Sequence, residues 1–307
     1  MSLKHIKTIA LSILIPVYNV ALNDLIKRLI TQTEKLQIAF EIRIADDAST
    51  DAEIQKANAL LAEQNQCFYT VFHENRGRTA TRNFLAENAL YDNLLFLDAD
   101  VLPTKPDFLQ IFEQNLGRAQ VIFGGITYPK ILPNPERALH YTYGKSREGR
   151  SVAKRKKKPY LSLVSQHLLI DKSVFLKCNP AEENAYGLDP YFAHRLDQQQ
   201  VSVLHINNPT THFGLETSAS YVLKTHQALQ TLVRLEHEKK MPKNYRPLQR
   251  VAQQIVKRNL QHKILRLFRN YEHHILKNLC GNNPSLRLFD LYRLCYYLKL
   301  TLEDDSN

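Results

Sequence analysis

The first hundred residues alternate between short apolar runs and longer stretches with apolar residues at helical spacing. The short runs are typical of buried β-strands, and the stretches between them are typical of amphipathic helices. The predicted strands are residues 9–17, 40–45, 67–72 and 94–97, and the predicted helices are residues 24–36, 51–64 and 78–90. Strands and helices that alternate in this way predict a parallel sheet with right-handed crossover connections.

The middle of the chain has a less regular pattern. Strands are predicted at residues 121–126, 161–170 and 201–206, with a helix around residues 190–199. Residues 146–159 contain the basic run Lys154 to Lys158, and we expect this stretch to be a mobile loop. Such a loop is compatible with a lid that closes over a bound ligand and with a solvated run of charge.

The last third is predicted to be helical. Apolar residues recur with a period near 3.6 over residues 251–279, Gly281 and Pro284 provide a stop, and residues 286–300 form a second helix. We therefore predict two parts. Residues 1–220 form an α/β domain with a mostly parallel sheet flanked by helices, and residues 221–307 form a basic α-helical extension.

Composition restricts the class of protein. The chain has 307 residues, of which 44% are hydrophobic and 23% charged, which argues against a disordered, collagen-like or disulfide-scaffold protein. Its four cysteines form no C-x-x-C pair, so free thiols in a reducing compartment are expected and a zinc site is not. The first apolar run is too short to cross a bilayer and has no cleavage site behind it, which predicts a cytoplasmic protein.

The net charge of +11 is concentrated near the C-terminus. Residues 241–300 contain 12 Lys and Arg but only 2 Asp and Glu. Basic helices of this kind suit a phosphate-bearing partner, such as the surface of an anionic membrane. The alternative interpretation is that these charges form a solvated helical face without a partner. Packing on the α/β domain, or a dimer contact, is a further interpretation of these helices.

The most informative short motif is Asp98-Ala99-Asp100, directly after the predicted strand at residues 94–97. Two carboxylates at the end of a buried strand can both face one pocket, and oxygen ligands suit Mg²⁺ or Mn²⁺. Asp46 and Asp47 follow the second strand in the same way, where the simpler interpretation is a helix cap. Around Gly77, arginines are placed to meet a diphosphate, although an ordinary amphipathic helix start has the same composition.

Taken together, the motifs resemble those of family 2 glycosyltransferases of the GT-A fold. The motifs are Ile13 to Asn19 (ILIPVYN), Asp46 to Asp51 (DDASTD), Asn75-x-Gly77 with Arg82-Asn83, Leu95 to Asp100 (LFLDAD), Gly124-Gly125, and Tyr186 to Arg195 (YGLDPYFAHR). The resemblance covers roughly residues 9 to 216. It departs from the family pattern at Leu188, where the family usually has a glutamate before Asp189.

The resemblance implies an inverting, metal-dependent hexosyltransferase that uses a nucleotide-sugar. Asp189 is expected to act as the base, and Asp100 and His212 to ligate Mn²⁺ or Mg²⁺. The acceptor side is expected to include Gly125, Tyr186, Gly187 and His194. The expected donor-binding residues are Pro16, Tyr18, Asn19, Asp46, Asp47, Asn75, Gly77, Arg78, Arg82, Asp98 and Ala99.

The expected donor is a UDP-sugar, and the expected acceptor is a glycan or a lipid-linked glycan in polysaccharide biosynthesis. A peripheral membrane contact through residues 241–300 would place the enzyme at the inner face of the cytoplasmic membrane, and no nucleic acid partner is expected. Two alternatives remain open. One is a nucleotide-sugar-binding protein without activity, which the Leu188 departure suggests. The other is a protein that binds a membrane or a phosphate polymer through its basic helices.

Overall fold

The computed structural model describes residues 10–63 and 66–304. The strands are β1 (Ala10–Val17), β2 (Ala39–Asp46), β3 (Cys67–Val71), β4 (Asn93–Leu97), β5 (Val101–Pro103), β6 (Val121–Phe123), β7 (Ile126–Thr127), β8 (His167–Asp171), β9 (Val203–His205) and β10 (Thr210–His212). The α-helices are α1 (Asn23–Thr33), α2 (Ala52–Leu61), α3 (Arg78–Asn88), α4 (Phe108–Glu113), α5 (Ala138–Tyr143), α6 (Val152–Lys156), α7 (Lys172–Cys178), α8 (Asp189–Gln198), α9 (Ser218–His237), α10 (Pro247–Lys257), α11 (Gln261–Leu279) and α12 (Leu286–Asp304).

The main sheet has seven strands in the order β3-β2-β1-β4-β8-β6-β9. Strands β1 to β4 run parallel to one another, β6 and β9 are parallel to each other, and β8 runs antiparallel to both β4 and β6. The predicted mostly parallel α/β sheet is therefore confirmed. Its central strands β1 and β4 are buried almost along their whole length, as expected for a sheet covered on both faces.

A second, three-stranded sheet has the order β5-β10-β7 and was not predicted. In it, β10 runs antiparallel to β5, so that His212 is paired with Val101. This pairing brings the chain after residue 209 back to the loop that follows β4. It therefore positions the C-terminal end of β10 beside the Asp98-Ala99-Asp100 motif.

The described residues cluster into two compact units, each discontinuous in sequence. The first comprises the described residues within Met1–Ile126, Ser151–Asn184 and Leu196–Phe213, and the second comprises those within Thr127–Arg150, Ala185–Arg195 and Gly214–Asn307. In the first unit, α1 buries Leu25, Ile26 and Leu29 in the core that also contains the apolar side chains of β1. The boundary at residue 220 stays a prediction.

The second unit has its own apolar cores, formed mainly by the C-terminal helices. One core joins Leu188 and Tyr191 to residues of α9, α10 and α12, and the other joins Leu139 to residues of α9, α11 and α12. Residues from the middle of the chain, such as Leu139 and Leu188, thus pack into apolar cores formed mainly by the C-terminal helices.

The prediction of a mobile loop at residues 146–159 is wrong. Residues Gly144–Glu148 form a π-helical turn and α6 follows, with the Arg155 side chain only 2% exposed. The guanidinium donates hydrogen bonds to the backbone carbonyls of Phe123, Gly124 and Ile206 at 2.8–3.1 Å. These bonds replace the water that Arg155 gives up, which is why a charged residue in a basic run is buried.

Three further boundaries differ from the prediction. The helix predicted at residues 251–279 is two helices, because the chain turns between them and Asn259 adopts a φ of 55°. The strand predicted at residues 121–126 is interrupted at Gly124-Gly125, and the one predicted at 161–170 begins only at His167.

The four cysteines are free, as predicted. Among the helices of the described residues, none combines the length and the apolar character needed to span a bilayer.

Candidate functional site

The loops that follow β1 and β2 are tied together by Asn19. Its side-chain Oδ1 accepts hydrogen bonds from the backbone N–H groups of Thr50 at 2.8 Å and Asp51 at 3.2 Å, and its own N–H donates to Ser49 Oγ at 2.8 Å. Asn19 has a φ of 53°, a conformation that asparagine tolerates better than most residues. The residue therefore shapes the loop pair at the carboxyl ends of these two strands.

Asp46 is a fully buried carboxylate at the end of β2. It accepts hydrogen bonds from the Ser49 N–H at 2.7 Å and from the Tyr69 hydroxyl at 2.5 Å. Burial, together with the hydrogen bond and the charge of Asp46, raises the pKa of Tyr69. The hydroxyl therefore remains protonated and keeps donating to Asp46.

Asp47 binds the backbone of the turn before α3. Its two carboxylate oxygens accept from the N–H groups of Arg76 at 2.8 Å and Gly77 at 3.0 Å, and the Asn75 amide donates to the Asp47 carbonyl at 3.1 Å. Gly77 has a φ of 84°, and a Cβ there would lie 2.2 Å from Oδ1 of Asn184. This turn accordingly requires glycine, and the predicted donor-side residues Asp47, Asn75 and Gly77 form one hydrogen-bonded group.

Asp98 follows β4 and accepts hydrogen bonds from two arginines one turn apart on α3. Arg78 donates to one carboxylate oxygen at 2.5 Å, and Arg82 donates to the other. Arg82 is buried and also donates to the carbonyl of Ser165 at 2.6 Å, whereas Arg78 is exposed. Asp98 thus holds two guanidinium groups at the end of β4, and guanidinium groups are suited to bind phosphate oxygens.

Asp100 faces His212, and metal binding by these two residues stays a prediction. The Asp100 Oδ2 and His212 Nε2 atoms are 3.3 Å apart, and the Phe213 N–H donates to the Asp100 carbonyl at 2.9 Å. Burial raises the pKa of Asp100, but the hydrogen bond and charge of His212, with the charge of Arg78, outweigh burial and lower it. The carboxylate is thus ionised at neutral pH.

The Asp100–His212 pair fits a divalent cation. The Oδ1 atom of Asp100 is buried and has no hydrogen-bond partner among the described residues, so one carboxylate oxygen is left for a ligand. Carboxylate and imidazole together suit Mn²⁺. Within residues 10–63 and 66–304 no three acidic, histidine or cysteine side chains converge, so a cation held here would take its remaining ligands from substrate and water.

The remaining predicted donor-side residues line the same strand ends. Tyr18 directly follows β1 and its side chain is 46% exposed, while Pro16 and Ala99 are partly buried. An exposed phenol ring offers a flat face for stacking against a nucleobase. Contact of these three residues with a donor stays a prediction.

The motif around Asp189 belongs to the second unit. Asp189 is the first residue of α8 and is partly exposed, and it follows Gly187, whose φ is 90° and whose α-carbon packs against Ala228. Tyr186 is exposed, and the ammonium group of Lys224 lies 5.7 Å from its ring centroid. A carboxylate in the first helical turn, next to an exposed tyrosine, is a suitable arrangement for an acceptor site.

Leu188 and His194 are both buried in the second unit. Leu188 belongs to the apolar core that contains Leu229 and Leu232, so a glutamate at this position would place a charge among apolar side chains. His194 packs edge-on against Tyr245 with ring centroids 4.8 Å apart. The departure at Leu188 thus coincides with a core position, and acceptor binding by His194 stays a prediction.

The predicted donor-side residues from Pro16 to Asp100 lie within a stretch that matches a known family model. The model is described as Glycosyl transferase family 2 and matches residues 12–175, which is more than half of the chain. The chain belongs to glycosyl transferase family 2. The resemblance drawn from the sequence motifs is therefore confirmed.

This family 2 glycosyltransferase is similar to two curated proteins from Rickettsia. It is 37% identical over 125 residues to the uncharacterized glycosyltransferase RC0461 of Rickettsia conorii, and 36% identical over 124 residues to an uncharacterized glycosyltransferase of Rickettsia felis. Each match covers 39% of this chain and 19% of the relative. The chain thus spans about a fifth of the length of these relatives.

A solved structure with the same fold is the mannosyltransferase PcManGT from Pyrobaculum calidifontis, in complex with GDP-Man and Mn²⁺. The two chains are 13% identical and superpose with a TM-score of 0.58, over 96% of this chain and 87% of the mannosyltransferase. At this identity the similarity establishes the fold alone. The family 2 glycosyltransferase described here has the GT-A fold, as the sequence motifs implied.

Sequence reasoning missed a buried cationic cluster in this family 2 glycosyltransferase. The Arg155 guanidinium lies 3.1 Å from His205 Nδ1 and directly against Gly125, and His205 Nε2 is 3.1 Å from the carbonyl of Pro159. Burial and the charge of Arg155 lower the pKa of His205 to about 4 and that of the fully buried His167 to about 3. Both histidines are therefore neutral, and no local sequence signal separates Arg155 from the exposed lysines beside it.

Proposed function

We propose that this family 2 glycosyltransferase is an inverting, metal-dependent hexosyltransferase. It moves a hexose or an N-acetylhexosamine from a UDP-sugar to a glycan or lipid-linked glycan acceptor. The observation that supports the proposal is the Asp100–His212 pair in the same unit as the Asp98–Arg78–Arg82 cluster. A pair of metal ligands together with guanidinium groups is what binding of a nucleoside diphosphate requires.

On the donor side, the loop pair held by Asn19 and the turn held by Asp47 would contact the nucleobase and ribose, with Tyr18 as a stacking face. Arg78 is the more exposed arginine of its cluster and would meet the diphosphate, while Asp98 keeps its guanidinium in place. Asp100 and His212 would hold Mn²⁺ or Mg²⁺, which neutralises charge on a departing diphosphate.

On the acceptor side, Asp189 would act as the base. Its carboxylate takes the proton of the acceptor hydroxyl while that oxygen forms a bond to the anomeric carbon of the sugar. The bond between the anomeric carbon and the diphosphate oxygen breaks on the opposite face, and the electron pair leaves with the nucleoside diphosphate. Attack on one face and departure from the other invert the anomeric configuration.

We further propose that the enzyme contributes to polysaccharide biosynthesis in the cytoplasm, at the inner face of the cytoplasmic membrane. The support for this location is the basic charge of residues 241–300 and the exposed apolar side chains on α11. Basic and apolar side chains together favour the surface of an anionic bilayer.

Calorimetric titration with UDP, GDP and CDP, each with and without Mn²⁺, tests the donor side. We expect UDP to bind in a Mn²⁺-dependent manner, and Asp100→Ala to remove that dependence because it removes a metal ligand. GDP is included because the mannosyltransferase with the same fold was solved with GDP-Man. If none of the three nucleotides binds, the proposal fails, whereas binding without transfer to any acceptor would support an inactive nucleotide-sugar-binding protein.

A further inference from the structure

Asp100 and His212 face each other although they come from distant parts of the sequence. Asp100 lies between β4 and β5, whereas His212 is the last residue of the three-residue strand β10. Antiparallel pairing of His212 with Val101 sets the register of the two segments. A strand this short makes few backbone hydrogen bonds, so its position also depends on what its side chains contact.

The two faces of β10 differ in burial. Successive side chains of a strand point to opposite faces, so Thr210 and His212 share one face and Thr211 lies on the other. Thr210 and His212 are 0% and 4% exposed, whereas Thr211 is partly exposed. The contacts of Thr210 therefore anchor the same face of β10 that presents His212 to Asp100.

The Thr210 hydroxyl is hydrogen-bonded to a buried histidine. Thr210 Oγ1 and His167 Nδ1 are 2.9 Å apart, and the Thr210 N–H donates to the Gly125 carbonyl at 3.3 Å. Burying a hydroxyl costs free energy unless it is hydrogen-bonded. His167 thus compensates Thr210 for the water that its hydroxyl has lost.

His167 is also connected to the strand that leads to Asp100. It is the first residue of β8 and pairs with Leu97, the last residue of β4. Directly beyond this pair, the Asp98 N–H donates to the Gln166 carbonyl at 2.7 Å. The residue therefore joins the end of β4 through strand pairing and the start of β10 through its side chain.

Packing alone does not explain a histidine at position 167. The rings of Phe108, Phe112 and Phe123 lie around the imidazole, with centroid distances of 5.2–6.1 Å. Its Nε2 atom is buried and has no hydrogen-bond partner among the residues that the structure describes, a cost that a phenylalanine ring would avoid. The hydrogen bond that the imidazole does make is the one to Thr210.

We propose that His167 and Thr210 are positioning residues that hold the His212 imidazole facing Asp100. They act through β10 rather than by contact with a cation or a donor. The consequence for Mn²⁺ binding rests on the proposed function, whereas the positioning of His212 does not.

Variants of the full-length protein separate this role from a purely structural one. Thr210→Val keeps the shape of the side chain and removes the hydroxyl, whereas Thr210→Ser keeps the hydroxyl. His167→Phe keeps a ring and removes both of its nitrogens. Thr211→Val is the matched control, because its side chain lies on the other face of the same strand. Thermal unfolding establishes that each variant is folded.

The first measurement uses neither metal nor nucleotide. Nitrogen-15 spectra of the histidine side chains report the surroundings of the His212 imidazole, whose signals are assigned by their loss in His212→Gln. We expect these signals to shift in Thr210→Val and His167→Phe and to keep their wild-type positions in Thr210→Ser and Thr211→Val. Unshifted His212 signals in Thr210→Val would overturn the positioning role.

The second measurement is Mn²⁺ binding in the presence of UDP, followed by the electron paramagnetic resonance signal of free Mn²⁺. We expect Thr210→Val and His167→Phe each to weaken Mn²⁺ binding by about 10–100-fold, the usual loss when a residue that orients a metal ligand is removed. Thr210→Ser should bind Mn²⁺ like wild type, and metal-free UDP affinity should be the same in all variants.

Two outcomes distinguish this proposal from the proposed function. Equal Mn²⁺ affinity of wild type and Thr210→Val would overturn the role of His167 and Thr210. Absence of Mn²⁺ binding to wild type, together with shifted His212 signals in Thr210→Val, would contradict the proposed function and support the positioning role.

Discussion

Asp98 allows an arginine to be buried at the end of a strand. Arg82 has lost nearly all contact with solvent, and it donates to Asp98 and to the Ser165 carbonyl. Burying a cation is costly unless it is paired and hydrogen-bonded, and these two acceptors supply that compensation. The same carboxylate leaves Arg78 exposed but fixed, so Asp98 would affect a donor mainly through the arginine that it orients.

At the residue scale, the sharpest prediction concerns Asp189→Asn. The amide cannot accept the proton of an acceptor hydroxyl, so we expect transfer to fall by about 10²–10⁴-fold, the usual contribution of a general base. UDP affinity should remain unchanged, because the donor-side residues belong to the other unit. Transfer assays and UDP calorimetry measure the two effects, and Asp197→Asn on the same helix is the control. Full activity of Asp189→Asn would eliminate Asp189 as the base.

At the scale of elements, α6 depends on one side chain. Arg155 is the fourth residue of the five-residue α6, and its guanidinium donates to three backbone carbonyls and contacts His205. A helix this short is not stable by itself. The burial of Arg155 therefore anchors the segment to β6 and to the chain after β9, and it converts an apparent loop into ordered structure.

Replacing Arg155 by Met should destabilise the protein. The variant would leave several buried carbonyls without a donor, and we expect the free energy of unfolding to fall by about 2–4 kcal/mol. Urea denaturation followed by circular dichroism measures the change. Lys156→Met, at the exposed neighbour, should alter the free energy of unfolding by less than about 0.5 kcal/mol. Equal stability of the two variants would contradict an anchoring role for Arg155.

The sequence pattern predicted the elements that depend on local periodicity and missed those that depend on distant pairing. The strands β1 to β4 and helices α1 to α3 were predicted within a few residues, because hydrophobic period and caps are local signals. The antiparallel orientation of β8 and the β5–β10 pairing were not predicted, since strand pairing is set by partners many residues away. The same limit applies to the site: Asp47 was found by motif, but its hydrogen bonds to the Arg76–Gly77 backbone were not.

At the scale of the whole molecule, α11 exposes apolar and basic side chains together. Leu267 and Tyr271 are 60% and 57% exposed and lie one turn apart, and Lys263 and Arg266 are exposed on the same helix. Towards its C-terminal end, α11 packs into the second unit through Ile275 and Leu279. An exposed apolar pair beside basic side chains is the pattern of a helix that lies in a membrane interface.

We expect the full-length protein to bind phosphatidylglycerol vesicles and to bind neutral phosphatidylcholine vesicles weakly. The double variant Lys263→Glu with Arg266→Glu should lose most of the salt-sensitive binding to phosphatidylglycerol vesicles. Each basic residue contributes about 1 kcal/mol to binding at an anionic surface. Leu267→Ser with Tyr271→Ser should reduce binding at least tenfold, whereas Leu223→Ser, equally exposed on α9, should not. Sedimentation with vesicles measures all of these, and unchanged binding of both double variants would exclude α11 as the membrane contact.

The discontinuous second unit has a consequence for synthesis on the ribosome. The ten strands of the described residues all end by residue 212, so both sheets can pair while α9 to α12 are still being translated. The cores that contain Leu139 and Leu188 include residues of α12 as late as Leu298 and cannot close until that helix emerges. The segment that contains Asp189 is therefore synthesised more than 100 residues before its packing partner Leu298. Completion of the second unit during synthesis is therefore expected to follow the emergence of α12, after both sheets can already have paired.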